Sequence, residues 1–290
     1  MSKTALVTGM DSSAIAVGIC ESLLRSSFKV FATSEGKYDA GKEEREQFDG
    51  AHTEFTPVSF ESVDFTSEAS IAELISRLES EIFDVIVNCA GTIAFADDGS
   101  LRDESADFSF KEFNRVLQYN VTSIAAVCLG LKESVKPGGV IINVTSVAGQ
   151  EGAFATISYN ASKAAVDNLT KSLANVLGPS KGIRVNGIAP GWIPPNAGAA
   201  AGGVVALGNA LTPSQVIGTP DDVAKAVAFL IDAPFQNGSI LRVDGGVSAS
   251  YLPYMMESLE LQGFPVSDAI DSLATLVRTA KEDMSKPRPS

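Results

Sequence analysis

Tyr159 and Lys163 lie four residues apart in a stretch whose apolar spacing predicts a helix over 158–177. That separation puts both side chains on one helix face, one turn from each other. A free phenol titrates near pH ~10, and an ammonium group beside it favours the phenolate. The pair therefore suits proton transfer to or from an oxygen, although by itself it is also an ordinary helix-surface pair. Ser146 stands thirteen residues before Tyr159, at the end of a predicted strand. Near the start of the chain, Thr8-Gly9 closes one predicted strand and opens a predicted helix. Phosphate groups settle at such a junction, on backbone N–H groups and the positive end of the helix. One glycine at a turn is weak evidence alone, because every tight turn favours glycine.

These residues have to be positioned by alternating elements. Short β-branched runs predict strands at 5–8, 30–33, 84–88, 140–145, 184–188 and 240–243, with a weaker one at 58–63. Between them, amphipathic stretches predict helices at 14–24, 68–79, 110–131, 158–177 and 220–230. Thr66 or Ser67 marks one helix start, and Thr219-Pro220-Asp221-Asp222 marks another with proline at its first position. The alternation implies βαβ units around a parallel sheet. Residues 96–109 are acidic and read as a surface loop, and residues 194–213 carry no charge at all.

With 290 residues, 45% hydrophobic and 20% charged, the chain is long enough for a sizeable buried core. Its formal charge of −13 argues against nucleic acid and anionic membrane as partners, and mildly against an acidic carrier protein. Cys20, Cys89 and Cys128 have no metal-type spacing and fall inside predicted elements, so they read as reduced, packed thiols; no metal is expected. A single histidine, His52, sits in a predicted loop and reads as solvated, which excludes Ser-His-Asp hydrolysis and multi-histidine zinc sites. Met1 leads directly into an apolar strand, and no apolar window reaches the length of a membrane span, so a soluble, cytoplasmic protein is expected.

Thr8-Gly9, Asp64, Asn88-Cys89-Ala90-Gly91, Asn120, Ser146, Tyr159-Asn160-Ala161-Ser162-Lys163, Pro190-Gly191 and Val243-Asp244-Gly245-Gly246 occur in that order. Together they resemble the motif series of the short-chain dehydrogenases/reductases, over roughly residues 3–247. The resemblance implies an α/β fold with a single Rossmann-type doubly wound parallel sheet, helices on both faces, in a domain over 1–247. It implies hydride transfer between a nicotinamide and a carbonyl or secondary alcohol of a small, neutral or apolar substrate. By the same resemblance Tyr159 is the acid and base, Ser146 holds the substrate oxygen, and Lys163 favours the phenolate and binds ribose. Asn120 matches the asparagine that holds a water on the proton path. Cofactor contacts are implied at Gly9, Ser12, Ser13, Ile15, Ser34, Glu35, Asp64, Phe65, Asn88, Ala90, Gly91, Tyr159, Lys163, Pro190, Gly191 and Ile193. A homodimer or homotetramer is expected, through the helices predicted at 110–131 and 158–177.

Several positions depart from the family pattern. Its main branch has glycine where this chain has Ser13 and Ile15; residues 13–19 instead resemble the serine-containing loop of enoyl-acyl-carrier-protein reductases, with one residue fewer. That makes enoyl reduction the alternative activity and a non-catalytic cofactor sensor a second one. Those reductases, however, space tyrosine and lysine seven apart. A threonine common after the Ile193 position is replaced by Pro195. Glu35, after the second predicted strand, favours NAD(H) over NADP(H), since a carboxylate there holds the ribose 2′-hydroxyl and repels a 2′-phosphate; Lys37 is the group that would compensate. The uncharged stretch after Ile193 reads as a substrate cover. Residues 248–290 form an extra segment, with an apolar cluster at 251–261 and helical spacing at 267–284, read as a C-terminal helical extension ending in a disordered tail.

Overall fold

A computed structural model describes residues 3–10, 13–35, 58–96, 102, 104–152, 156–194, 208–209 and 212–249. Ser12, Lys37, His52, Pro195, most of the uncharged stretch and the extension from residue 250 onward lie outside the described residues.

The strands are β1 (Thr4–Val7), β2 (Lys29–Ser34), β3 (Val58–Ser62), β4 (Phe83–Asn88), β5 (Val135–Val144), β6 (Arg184–Pro190) and β7 (Ile240–Val243). They form one seven-stranded sheet in the order β3-β2-β1-β4-β5-β6-β7, with every pairing parallel. The helices are α1 (Ala14–Arg25), α2 (Glu68–Leu78), α3 (Phe110–Leu117), α4 (Ser123–Gly130), α5 (Ala148–Glu151), α6 (Ile157–Lys181) and α7 (Pro220–Asp232). This is the expected doubly wound sheet, and its strand order reverses between β1 and β4, where such folds open a crevice for ligands.

Alternation along each strand sorts the core into two layers. Ala5 and Val7 face one way with Val30, Val85, Val87, Ile142 and Ile188, and α1 and α7 cover them through Ile19, Leu23, Val223 and Val227. Leu6 faces the other way with Phe31, Ile86, Ile141 and Val185, under Leu74 of α2, Val127 of α4 and Val166 of α6. Both layers are dry: Leu6, Ile86 and Ile142 are fully buried. Helix starts follow the sequence signals. Ser67 Oγ accepts from Ser70 N–H, and Thr219 and Asp222 form a reciprocal capping box.

Two expectations need correction. The helix predicted over 110–131 is broken by a π-helical turn at Gln118–Thr122, centred on Asn120. Asn120 turns its amide onto the backbone of a distant loop, and wide turns of this kind concentrate at functional sites. The acidic stretch at 96–109 is not wholly a surface loop, because Arg102 and Glu104 are buried, at 8% and 3% exposure. Each is held by hydrogen bonds that a sequence pattern does not show.

Gly9 has φ +85°, and a Cβ there would lie 2.5 Å from Ala90 Cα. Gly138 has a similar φ of +83° but open space around it. Gly138→Ala should therefore cost about 1–2 kcal/mol from backbone strain alone. Gly9→Ala should cost clearly more, roughly 2–5 kcal/mol, once the overpacking is added. Urea unfolding of the two variants checks this, and equal losses would mean that β1 and β4 can part without penalty.

Candidate active site

The crevice starts where the ends of β1 and β4 are tied together. Thr8 Oγ1 accepts the backbone N–H groups of Cys89 and Ala90, at 3.0 and 3.1 Å. Gly9 N–H donates to Thr33 Oγ1 at 3.2 Å, which fixes the same turn to β2. Helix α1 follows at once, capped by Ser13 Oγ accepting from Ala16 N–H at 3.4 Å, with no acidic residue in its first turn. An anion at this helix end meets N–H donors, and among the described residues the first turn brings no carboxylate. Ile15 is partly buried and packs its side chain against the core. Across the turn, Ser13 Oγ lies 3.6 Å from Cys89 Sγ. Burial pushes the Cys89 thiol up to about 11, partly offset by the Ser13 hydrogen bond and the Lys163 charge.

At the end of β2, Ser34 is buried and its hydroxyl has no protein partner, while Glu35 next to it is exposed. Asp64 is exposed and accepts from both the N–H and the hydroxyl of Thr66, at 2.8 and 2.7 Å. Phe65 is buried edge-on against Tyr119, centroids 5.6 Å apart. Its ring belongs to the core. Asn88 also turns inward: its Nδ2 donates to Asn143 Oδ1 at 2.8 Å and to Cys128 Sγ at 3.2 Å, so the side chain braces the sheet. Ala90 and Gly91 remain at the crevice.

Lys163 is the centre of the other half. It is buried, at 3% exposure, and its Nζ donates to Val144 O at 2.9 Å. Val144 ends β5, so the ammonium is anchored to the C-terminal edge of the sheet. The Nζ lies 5.6 Å from the centroid of the half-buried Tyr159 ring, one turn earlier on α6. Gly91 stands over it: a Cβ there would come within 3.4 Å of Nζ and 3.9 Å of Asn120 Oδ1. Asn120 is fully buried and its amide is saturated on three sides. Oδ1 accepts from Thr92 N–H at 2.8 Å, and Nδ2 donates to Thr92 O at 2.8 Å and to Ser162 Oγ at 2.9 Å. Ser162 in turn donates to Tyr159 O at 2.7 Å, so the π turn is laced to the tyrosine helix.

Ser146 follows β5 and is half-buried, its Oγ accepting from Ala148 N–H at 3.1 Å. The hydroxyl hydrogen stays available to donate. The short helix α5 then packs so closely on α6 that a Cβ on Gly149 would meet Ala164 N and Lys163 C at 2.6 Å. The serine and the tyrosine–lysine pair are thus held by one rigid junction. Pro190 ends β6, and Gly191 N–H donates to Val243 O at 3.0 Å. Glycine at 191 has a packing reason, since a Cβ would lie 2.8 Å from Asp244. Trp192 O accepts from Gly218 N–H at 3.0 Å, and Ile193 leans on the core beside α1.

Two contributors carry no mark in the sequence pattern, Thr92 as the partner of Asn120 and the pair Glu112 and Arg115, while Thr8, legible only as half of the Thr8-Gly9 motif, is the β1–β4 clamp. Arg115 donates to Ile93 O at 2.7 Å and to Glu112, while Glu112 accepts from Phe95 N–H at 3.2 Å. Burial alone would raise the Glu112 carboxyl; hydrogen bonds from Arg115 and Phe95, with the Arg115 and Arg102 charges, hold it below its usual value. The two lie three residues apart on α3, a spacing that brings their side chains together. Among the described residues no cluster of side chains suits a metal ion, and no helix is long and apolar enough to cross a membrane.

Comparison with known proteins agrees with this geometry. Residues 9–248 match a family model described as enoyl-(acyl carrier protein) reductase. An acetoacetyl-CoA reductase of Rhizobium meliloti is 31% identical over 255 residues, which is 85% of this chain and 98% of that protein. A 3-hydroxyacyl-CoA dehydrogenase type-2 of Drosophila melanogaster is 32% identical, over 66% of this chain and 78% of its own. A short-chain dehydrogenase from Burkholderia cenocepacia, solved in complex with NADP, superposes with a TM-score of 0.72 at 25% identity, covering 86% of this chain and 98% of that one. A parallel sheet in Rossmann order, a tyrosine–lysine helix beside it and relatives of this kind leave one conclusion: the chain is an oxidoreductase of the short-chain dehydrogenase/reductase family.

Proposed function

We propose that the chain reduces a ketone carbonyl, or oxidises the matching secondary alcohol, with Tyr159 as acid and base. The observation that carries this reading is the buried Lys163 ammonium, anchored on Val144 O and set beside the Tyr159 ring. Tyr159 O–H gives its proton to the substrate oxygen in reduction and takes it back in oxidation. Ser146 donates a hydrogen bond to the same oxygen and holds it near the phenol. Lys163 sets its ammonium beside the Tyr159 ring. Asn120, with both amide hydrogens spent, braces Thr92 and Ser162 on either side of the pair.

A nicotinamide dinucleotide, when bound, supplies or accepts the hydride. The residues fit it. The first turn of α1 presents donors without an acidic residue, Gly91 leaves space over Lys163, and the buried Ser34 hydroxyl has no partner among the described residues. Gly9, Ser13 and the Ile15 backbone would hold the pyrophosphate. Ser34 and Glu35 would hold the adenosine ribose, and Asp64 with the Phe65 backbone the adenine. Ala90, Gly91, Tyr159 and Lys163 would hold the nicotinamide ribose, with Pro190, Gly191 and the Ile193 backbone at the ring. The exposed Glu35 carboxylate supports NAD(H) over NADP(H) for this chain.

The named relatives act at the 3-position of acyl thioesters, which makes acetoacetyl-CoA the first substrate to offer. Enoyl reduction is the second reading, prompted by the description of the matching family model. The separation of Tyr159 and Lys163 by one helical turn favours carbonyl chemistry. Three buried, unpaired cysteines suit a reducing compartment such as the cytoplasm. Phe110, Ile157 and Val176 are exposed apolar side chains on α3 and α6, which supports a homo-oligomer through those helices; sedimentation should give a dimer or tetramer, and a monomer would remove that contact.

Titration with NADH and NADPH, run on wild type and Tyr159→Phe, tests the reading. NADH should bind at least about tenfold more tightly than NADPH, equal to ~1.4 kcal/mol. Tyr159→Phe should keep that affinity while turnover of acetoacetyl-CoA falls by about 10²-fold or more. Tighter NADPH binding would remove Glu35 from its role, and an active Tyr159→Phe would remove the tyrosine from its own.

A further inference from the structure

Glu104 is a carboxylate buried to 3% exposure, and among the described residues its hydrogen-bond partners include no basic side chain. Its Oε2 accepts two hydrogen bonds from one residue: Ser158 N–H and Ser158 Oγ–H, each at 2.8 Å. Ser158 is the second residue of α6 and immediately precedes Tyr159. The local cap residue, Thr156, makes no capping bond through its side chain. The first turn of the tyrosine helix is therefore capped from 54 residues away in sequence. A carboxylate at this helix end is favoured by the helix dipole and by its orphan N–H groups. Its second oxygen, Oε1, is buried without a partner. Burying a carboxylate with one oxygen unsatisfied is costly, more than an ordinary cap requires, when a serine or aspartate at position 156 would serve locally.

The loop that carries Glu104 is itself tied to the crevice. Arg102 N–H donates to Ala94 O at 3.2 Å, and Arg102 Nε donates to Phe95 O at 3.2 Å. Phe95 N–H is held by Glu112, whose partner Arg115 grips Ile93 O. Polar contacts thus tie Arg102 to the loop after β4, and two residues on, Glu104 holds the residue beside Tyr159.

We propose that Glu104 is a positioning residue for Tyr159: it fixes the first turn of α6, and with it the phenol, relative to the loop after β4. This rests on Tyr159 being the acid and base. Loss of the cap lets the first turn fray, and small displacements of a reacting group cost up to about 10²-fold in rate.

The test compares wild type with Glu104→Ala, Glu104→Gln and Ser158→Ala. The first readout is amide hydrogen exchange at residues 158–160, which needs no substrate. Glu104→Ala should lose about tenfold or more of the protection there, and Glu104→Gln, which keeps an acceptor oxygen, should restore most of it. Ser158→Ala, which keeps the backbone bond, should lose little. The second readout is acetoacetyl-CoA reduction: in Glu104→Ala, kcat should fall roughly 10- to 100-fold with KM and NADH affinity within about threefold, and Glu104→Gln should recover. Unchanged exchange in Glu104→Ala overturns the proposal, as does a loss shared equally by kcat, KM and NADH affinity. If Glu104→Ala does not fold, Glu104→Gln and Ser158→Ala must both keep wild-type protection and kcat; a tenfold loss of either in both variants counts against the acceptor role. Absence of any turnover in the wild type sinks the proposed reaction, while the exchange result still decides the cap.

Discussion

A lysine ammonium buried at the edge of the sheet constrains everything around it. Removing such a charge from water costs several kcal/mol unless the site supplies partners. Here Val144 O takes one of its hydrogens at 2.9 Å, so β5 must end at that point. The missing side chain of Gly91 leaves the head group room, and the missing side chain of Gly149 lets α5 close against the same turn of α6. The strand order supplies the rest: β4 and β5 are neighbours, so the Asn88–Gly91 turn and the Val144–Ser146 turn meet above the lysine. A surface lysine would need none of these arrangements.

The two halves of the site are built by different means. The β1 side uses backbone groups and one hydroxyl: Thr8 clamps β4, Gly9 permits the close approach, and Ser13 starts a helix whose first turn carries no negative charge. Backbone donors at a helix start suit an anion, whatever the side chains beyond their small size. The β5 side uses long side chains held rigid by second partners. Asn120 spends its whole amide on Thr92 and Ser162, and Ser162 passes the constraint to the Tyr159 carbonyl. A group that must meet a reacting oxygen needs such support more than one that meets phosphate.

Much of this was legible in the sequence because the signals are local. Short β-branched apolar runs locate the strands, β3 as the weaker one, and Ser67 and Thr219 announce their helices through side chains that bond three residues ahead. The ordered motifs place Tyr159, Lys163, Ser146 and Asn120 on the right elements. What was not legible shares one physical cause, long-range contact. The Asn88 amide bonds Asn143, 55 residues on. The Phe65 ring, next to an exposed aspartate, packs on Tyr119. The π turn at Asn120 follows from the Thr92 backbone, and no helical periodicity encodes it. Glu104 sits among acids that pattern alone reads as solvated, and only the fold brings it to Ser158.

The measurement closest to the central claim follows a single hydrogen. Reduction of acetoacetyl-CoA with nicotinamide cofactor deuterated at C4, in light water, should put deuterium on the carbon that gains the hydroxyl, while the oxygen takes its proton through Tyr159. NMR and mass spectrometry of the product locate the label. Deuterium at C3 of 3-hydroxybutyryl-CoA is the predicted result. No transfer to acetoacetyl-CoA, with label instead appearing at a former double-bond carbon when crotonyl-CoA is offered, would contradict the account and make the chain a reducer of alkenes.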